Sequence, residues 1–110
     1  MTTAIIANLE KLLGGPRDNA LLRYSIGNEY LKAGDPGQAV AFFREATARD
    51  ANFSAAWKLL GKALAESGQT TEALAAYEQG IGVAETKGDV QAAKEMTVFA
   101  KRLRQQLAGE

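Results

Sequence analysis

Residues 20–53 read ALLRYSIGNEYLKAGDPGQAVAFFREATARDANF, and residues 54–87 read SAAWKLLGKALAESGQTTEALAAYEQGIGVAETK. Laid over one another at an offset of 34 residues, Gly27 falls on Gly61, Gly34 on Gly68, Ala39 on Ala73 and Ala41 on Ala75. The apolar positions agree as well: Ile26 with Leu60, Tyr30 with Leu64, Val40 with Leu74, Phe43 with Tyr77, and small Ala46 with Gly80. Agreement of size and polarity over such a period marks a repeated supersecondary unit, which becomes stable by stacking its apolar face on neighbouring copies.

Within each unit the apolar and small residues recur at helical spacing, Ile26, Gly27 and Tyr30 in one stretch and Ala39, Phe43 and Ala46 in the next. Two helices per unit follow. Gly34-Asp35-Pro36 breaks the first unit between them: glycine suits a left-handed helix end, Asp35 can cap the next helix, and Pro36 fits its first position. In the second unit Gly68 with Thr70 or Thr71 is expected to do the same, and Asn52 or Ser54 to cap the helix carrying Trp57. A glycine inside a helix costs roughly 1 kcal/mol relative to alanine. Gly27 and Gly61 therefore predict close approach of two helices, whereas Gly82 has no evident packing reason.

These residues resemble the tetratricopeptide repeat family, whose unit is a 34-residue pair of antiparallel helices. The second unit fills the family positions with Trp57, Leu60-Gly61, Leu64, Ala73, Tyr77 and Gly80, and the first fills them with Arg23, Ile26-Gly27, Tyr30, Ala39, Phe43 and Ala46. Arg23 departs from the pattern by replacing an aromatic, and Ala51 and Glu85 stand where the family usually has proline. The resemblance implies an all-α fold: an α-solenoid of antiparallel helix pairs, with two full repeats at 20–53 and 54–87.

Both ends read as half repeats. One period before Ala39, Phe43 and Ala46 lie Ile5, Leu9 and Leu12, so residues 3–13 are predicted to form the second helix of a truncated unit, ended by Gly14-Gly15-Pro16. Asp89 is placed to cap a helix over 89–107 with an apolar stripe of Ala92, Met96, Phe99, Leu103 and Leu107. That stripe sits one residue out of the repeat's register, and a slightly longer loop around Lys87-Gly88 is the expected reason. The chain is thus read as a single domain over 1–110.

Composition narrows the function. The 110 residues are 46% hydrophobic, as expected of a globular chain, and 13 Lys and Arg balance 13 Asp and Glu. No overall basic field exists to hold nucleic acid or an anionic membrane. Histidine and cysteine are both absent, which removes disulfides, the commonest metal ligands and the commonest general base. The start, MTTAIIANLEKLLGG, lacks a basic n-region, and no apolar stretch approaches the roughly 20 residues of a membrane span. Gly14-Gly15 lacks the Lys-Ser/Thr of a phosphate-binding loop. The expectation is a cytoplasmic binding protein with no enzymatic activity, cofactor, nucleic-acid or membrane partner.

In the family it resembles, the first helix of each pair lines a concave groove that receives a peptide or a partner's helix. That resemblance points to Tyr24, Asn28 and Lys32 from the first unit and Lys58, Lys62 and Glu66 from the second. Members of each set lie one turn apart on one helical face. Lys58 and Lys62 are like charges one turn apart, which an anionic partner would relieve; Glu66 pairing with Lys62 would instead leave a solvated face. The asparagine and basic clamp by which some family members grip chaperone tails does not carry over. Asn28 matches one member, but Tyr24, Leu59, Asp89 and Ala93 stand at the others. Two roles follow: an interaction module that binds a protein or peptide in the groove, or a structural protein that forms a homo-oligomer through its half-repeat ends.

Overall fold

The computed structural model describes residues 2–109, with side chains from Ala4 onward, and these form six helices with no strand among them. They are α1 (Thr2–Glu10), α2 (Ala20–Lys32), α3 (Pro36–Arg49), α4 (Ser54–Glu66), α5 (Thr70–Lys87) and α6 (Val90–Ala108). Each packs on the next, and α4 also touches both α2 and α6, so these three lie side by side on one layer while α3 and α5 form the other. The result is an elongated slab, 42 × 30 × 19 Å, of the helix-pair solenoid type the repeat predicts.

The glycines of the repeat explain how closely the pairs approach. A Cβ built on Gly27 would lie 2.8 Å from Cε1 of Phe43, and one built on Gly61 would lie 2.6 Å from Cε1 of Tyr77. Each glycine is therefore a hole in the first helix of a pair, filled by an aromatic knob from the second. Phe43 is fully buried and Tyr77 nearly so. Gly80 makes a third hole, where an added Cβ would meet the Met96 sulfur at 2.5 Å and Trp57 Cβ at 2.8 Å. Around Gly82 there is open space. Ile26, Leu60, Leu64 and Met96 complete the buried spine.

Asp35 and Asp89 cap as expected: Oδ1 of each accepts the backbone N–H of Gln38 and Ala92, at 3.2 Å in both cases. The other predicted caps do not form. Phe53 and Gln69 occupy the N-cap positions of α4 and α5, and neither offers a side-chain bond, so Asn52, Ser54, Thr70 and Thr71 cap nothing. Asn52 instead donates its own N–H to Asp50, and Ser54 donates its hydroxyl to Asp89 across to α6. Asn19, at the start of α2, is a cap the repeat comparison does not reveal; its Oδ1 accepts from Leu22 N at 2.8 Å.

The two ends depart from their predicted registers. The first helix stops at Glu10 rather than Leu13, because the N–H groups of Leu12 and Leu13 turn to the nearer carbonyls of Leu9 and Glu10. Gly14 then takes φ +79° and donates its N–H to Asp18. Ile5, Leu9 and Leu12 are not the buried line: Ile5 is 48% exposed, whereas Ile6 is only 5% exposed. Ile6 corresponds to Val40 and Leu74 and packs toward the following pair, while Ile5 corresponds to Ala39 and Ala73, which are fully buried. At the other end the offset is two residues, not one. The cap position Phe53 of α4 corresponds to Asp89 of α6, 36 residues on. The cause is a longer helix, not a longer loop: α5 has 18 residues against 14 in α3, and only Gly88 and Asp89 link it to α6.

Candidate functional site

The layer formed by α2, α4 and α6 carries all six residues that the family resemblance points to. On α2 the Tyr24 ring is packed, its centroid 4.8 Å from that of Phe53 and 5.9 Å from that of Phe43. Asn28 is half-buried, and Lys32 is exposed and pairs with Glu29 on its own helix at 3.2 Å. These three lie apart from the hollow that the other three share. That hollow lies between α4 and α6, about 580 Å3 in volume, lined by Lys58, Leu59, Lys62, Ala65, Glu66, Tyr77 and Phe99. Its size falls in the range of ligand-binding clefts. The three α4 residues are therefore brought together, and the three α2 residues do not line the same cleft.

Its chemistry is an apolar floor with a charged rim. Tyr77 and Phe99 form the floor as a tilted pair, centroids 5.5 Å apart, with Leu59 and Ala65 beside them. Burial pushes the Tyr77 phenol up to about 12, with the Glu66 carboxylate adding to the shift, so the ring stays neutral at any physiological pH. Lys58 does not face Lys62 unrelieved. Its Nζ lies 2.6 Å from Oε1 of Glu95 on α6, and Gln91 donates to the second oxygen of that carboxylate. The Lys58 hydrogen bond, followed by that of Gln91, holds the Glu95 carboxyl below the usual carboxylate range. Lys62 and Glu66, by contrast, form no ion pair with each other, and among the described residues no carboxylate accepts from Lys62. The like-charge strain on Lys58 is thus relieved inside the chain, and the ammonium of Lys62 is left at the rim of the cleft.

Two contributors escaped the repeat comparison. Glu95 lies 37 residues from Lys58, and only the two-residue shift of α6 carries it within reach. Phe99 was visible as part of an apolar stripe, yet its role as cleft floor depends on which side of α6 meets Tyr77. Arg102 stands over that ring, 6.0 Å from its centroid. Among the described residues no cluster of metal-ligating side chains occurs, and no helix is long and apolar enough to cross a membrane.

A solenoid of helix pairs with a concave cleft defines a repeat protein of the kind that mediates protein–protein contacts. The family model of the tetratricopeptide repeat matches residues 24–90, and the chain belongs to that family. It is 48% identical over 99 residues to the TPR repeat-containing protein PA0015 of Pseudomonas aeruginosa, a match covering 90% of this chain and 94% of that one. Among solved structures it resembles protein BPP2914 from Bordetella parapertussis, at 38% identity and a TM-score of 0.82, covering 96% of this chain and 92% of that one. The Sgt2 TPR domain from Aspergillus fumigatus overlays with a TM-score of 0.84 at 25% identity, covering 99% of this chain and 72% of that one.

Proposed function

We propose that this chain is an interaction module that receives a segment of a partner protein on the layer of α2, α4 and α6, with the cleft between α4 and α6 as the anchoring point. One observation carries the reading. The cleft joins an apolar floor of Tyr77, Phe99 and Leu59 to a rim cation, Lys62, whose charge no described side chain neutralises. A partner residue that inserts an apolar side chain and sets a carboxylate beside Lys62 would satisfy both, through burial and a charge-assisted hydrogen bond. Tyr24, Asn28 and Lys32 would extend the contact along α2, outside the anchor.

The proposed role is binding, without catalysis or cofactor, by one domain over 1–110 that holds a half repeat at 3–13, repeats at 20–53 and 54–87 and a capping helix at 89–107. A cytoplasmic setting is part of the same proposal; a chain without cysteine makes no use of an oxidising compartment. The test is cross-linked capture of partners with the native chain, Lys62→Glu, and Gln79→Glu on the opposite layer. Loss of a partner with Lys62→Glu but not with Gln79→Glu supports the cleft. A partner set retained equally by both variants places binding elsewhere.

A further inference from the structure

The repeat predicts which faces should be covered, and two of them are not. Inside the molecule the first helix of each pair offers a hole, Gly27 or Gly61, and the second fills it with Phe43 or Tyr77, with Ala39 or Ala73 fully buried one turn earlier. Helix α6 has the packing of a first helix: Met96 and Ala100 correspond to Leu60 and Leu64 at the 36-residue offset and are buried as they are. On the face where Gly61 lies in α4, α6 has Thr97, and Thr97 is exposed. Around it opens a hollow lined by Val90, Ala93, Lys94, Thr97, Val98 and Glu85, with Val90 60% and Val98 48% exposed. Helix α1 is the complement. It packs on α2 as a second helix does on the following pair, yet Ile5, where Ala39 and Ala73 are sealed, is open, and Leu9, where Phe43 and Tyr77 are buried, is only half covered.

We propose that the outer face of α6 is a docking site for α1 of a second copy of this chain, the two forming between copies the helix pair that α2–α3 and α4–α5 form within one. The occupant is set by continuity: the surface is a further turn of the same packing already made twice in the molecule. Size supports the match. Within the chain a glycine hole takes an aromatic knob, whereas here the hole holds a threonine and the knob is the smaller Leu9, so that what one side gains in bulk the other gives up. Because the two faces differ, the contact is head-to-tail and leaves a free α1 and a free α6 at the two ends of every assembly. It does not use the cleft between α4 and α6, so it stands or falls apart from the function proposed above.

Sedimentation of the full chain over a wide concentration range, with Ile5→Glu and Val98→Glu as variants, tests it. Both positions are half-exposed, so the helical content and melting transition of each variant should match the native chain, as circular dichroism will report. The native chain should gain average mass steadily with concentration, without a plateau at two chains. Either variant alone should stay at the one-chain mass, its apparent dissociation constant raised about tenfold or more by an unpaired charge at the contact. An equimolar mixture of the two should form a dimer and stop, because only one sound α6 face and one sound α1 face meet. The sequence has no cysteine, so a Leu9→Cys chain mixed with a Thr97→Cys chain should form an oxidative cross-link that neither forms alone. A native chain that remains single at all concentrations overturns the proposal. So does a dimer that survives Ile5→Glu, or a growing assembly in which Leu9→Cys and Thr97→Cys fail to link.

Discussion

The two full repeats use the same hole and knob but begin their first helices differently. At position 57 the second repeat has tryptophan, whose Cβ lies against Gly80 and whose ring N–H donates to the Ala51 carbonyl at 2.9 Å. At the equivalent position the first repeat has Arg23. Its Nε and Nη2 grip the two oxygens of Asp18 at 2.9 and 2.7 Å, and its Nη1 reaches Glu45 at 2.8 Å. Both side chains use a polar head to fasten the loop that leads into the helix. The acids that make arginine workable have no counterpart around Trp57. At the 34-residue offset Asp18 becomes Asn52 and Glu45 becomes Gln79, so the surroundings of Trp57 offer amides where those of Arg23 offer charge. An ion pair and an indole are alternative solutions to one constraint, each matched to its own surroundings.

Breaking the indole solution should cost the most. Trp57→Ala removes a large side chain from the seam of α4 with α5, and a loss of about 3 kcal/mol is expected, at the low end for Trp to Ala because the ring is only half-buried. Trp57→Arg should not recover that loss, since Asn52 and Gln79 offer no carboxylate. Urea unfolding followed by circular dichroism measures both, and a Trp57→Arg chain as stable as the native one would show that the two solutions are interchangeable.

Next in size is the hole the repeats share. Gly61→Ala gains about 1 kcal/mol of helix propensity but drives a methyl group to 2.6 Å from the Tyr77 ring. Tyr77 is nearly buried and its ring must shift to admit the methyl, so the net effect should be a loss of about 1–2 kcal/mol, within the usual cost of overpacking. Gly61→Leu should lose more. Gly82→Ala is the control of opposite sign. It too lies inside a helix, α5, with nothing near its added methyl, and should raise stability by up to about 1 kcal/mol. If Gly61→Ala also stabilises, the close approach of α4 and α5 is not what keeps the glycine.

The repeat made the middle of the molecule readable because each position is constrained twice, once in each copy. Gly27 with Gly61 marks a close approach of two helices, Phe43 with Tyr77 a matching pair of core aromatics, and Asp35-Pro36 a helix start by its own chemistry. Positions with no second copy were read less well. The register of α6 hinges on how far α5 continues before Gly88 turns it, and propensity alone gives no reason for the extra turn past Gly80 and Gly82. The choice between Ile5 and Ile6 is invisible in a stretch where both are apolar; it is settled by which neighbour α1 has. The cleft was half legible. Lys58, Lys62 and Glu66 were pointed to by the family resemblance and share a helix face by their spacing, whereas Glu95 and Phe99 enter through the packing of α6.

The smallest effect concerns the ionic solution and fades in acid. Asp18 accepts from Arg23 through both oxygens and from Gly14 N–H, with Arg49 at 3.8 Å. The Arg23 hydrogen bonds, then that of Gly14, hold its carboxyl well below the usual carboxylate range. The folded chain therefore binds a proton at Asp18 less readily than the unfolded chain does. The stability this gives is complete above the ordinary carboxylate pKa of about 4 and is lost as pH falls from there toward the lowered folded value. Asp18→Asn removes the titrating group, so the variant should be less stable than the native chain at neutral pH and should lose less on acidification. The difference between the two urea midpoints should shrink steadily below about pH 4. Equal acid sensitivity in the two chains would mean that Arg23 holds the loop by packing alone, and the two repeats would then differ in side chain but not in principle.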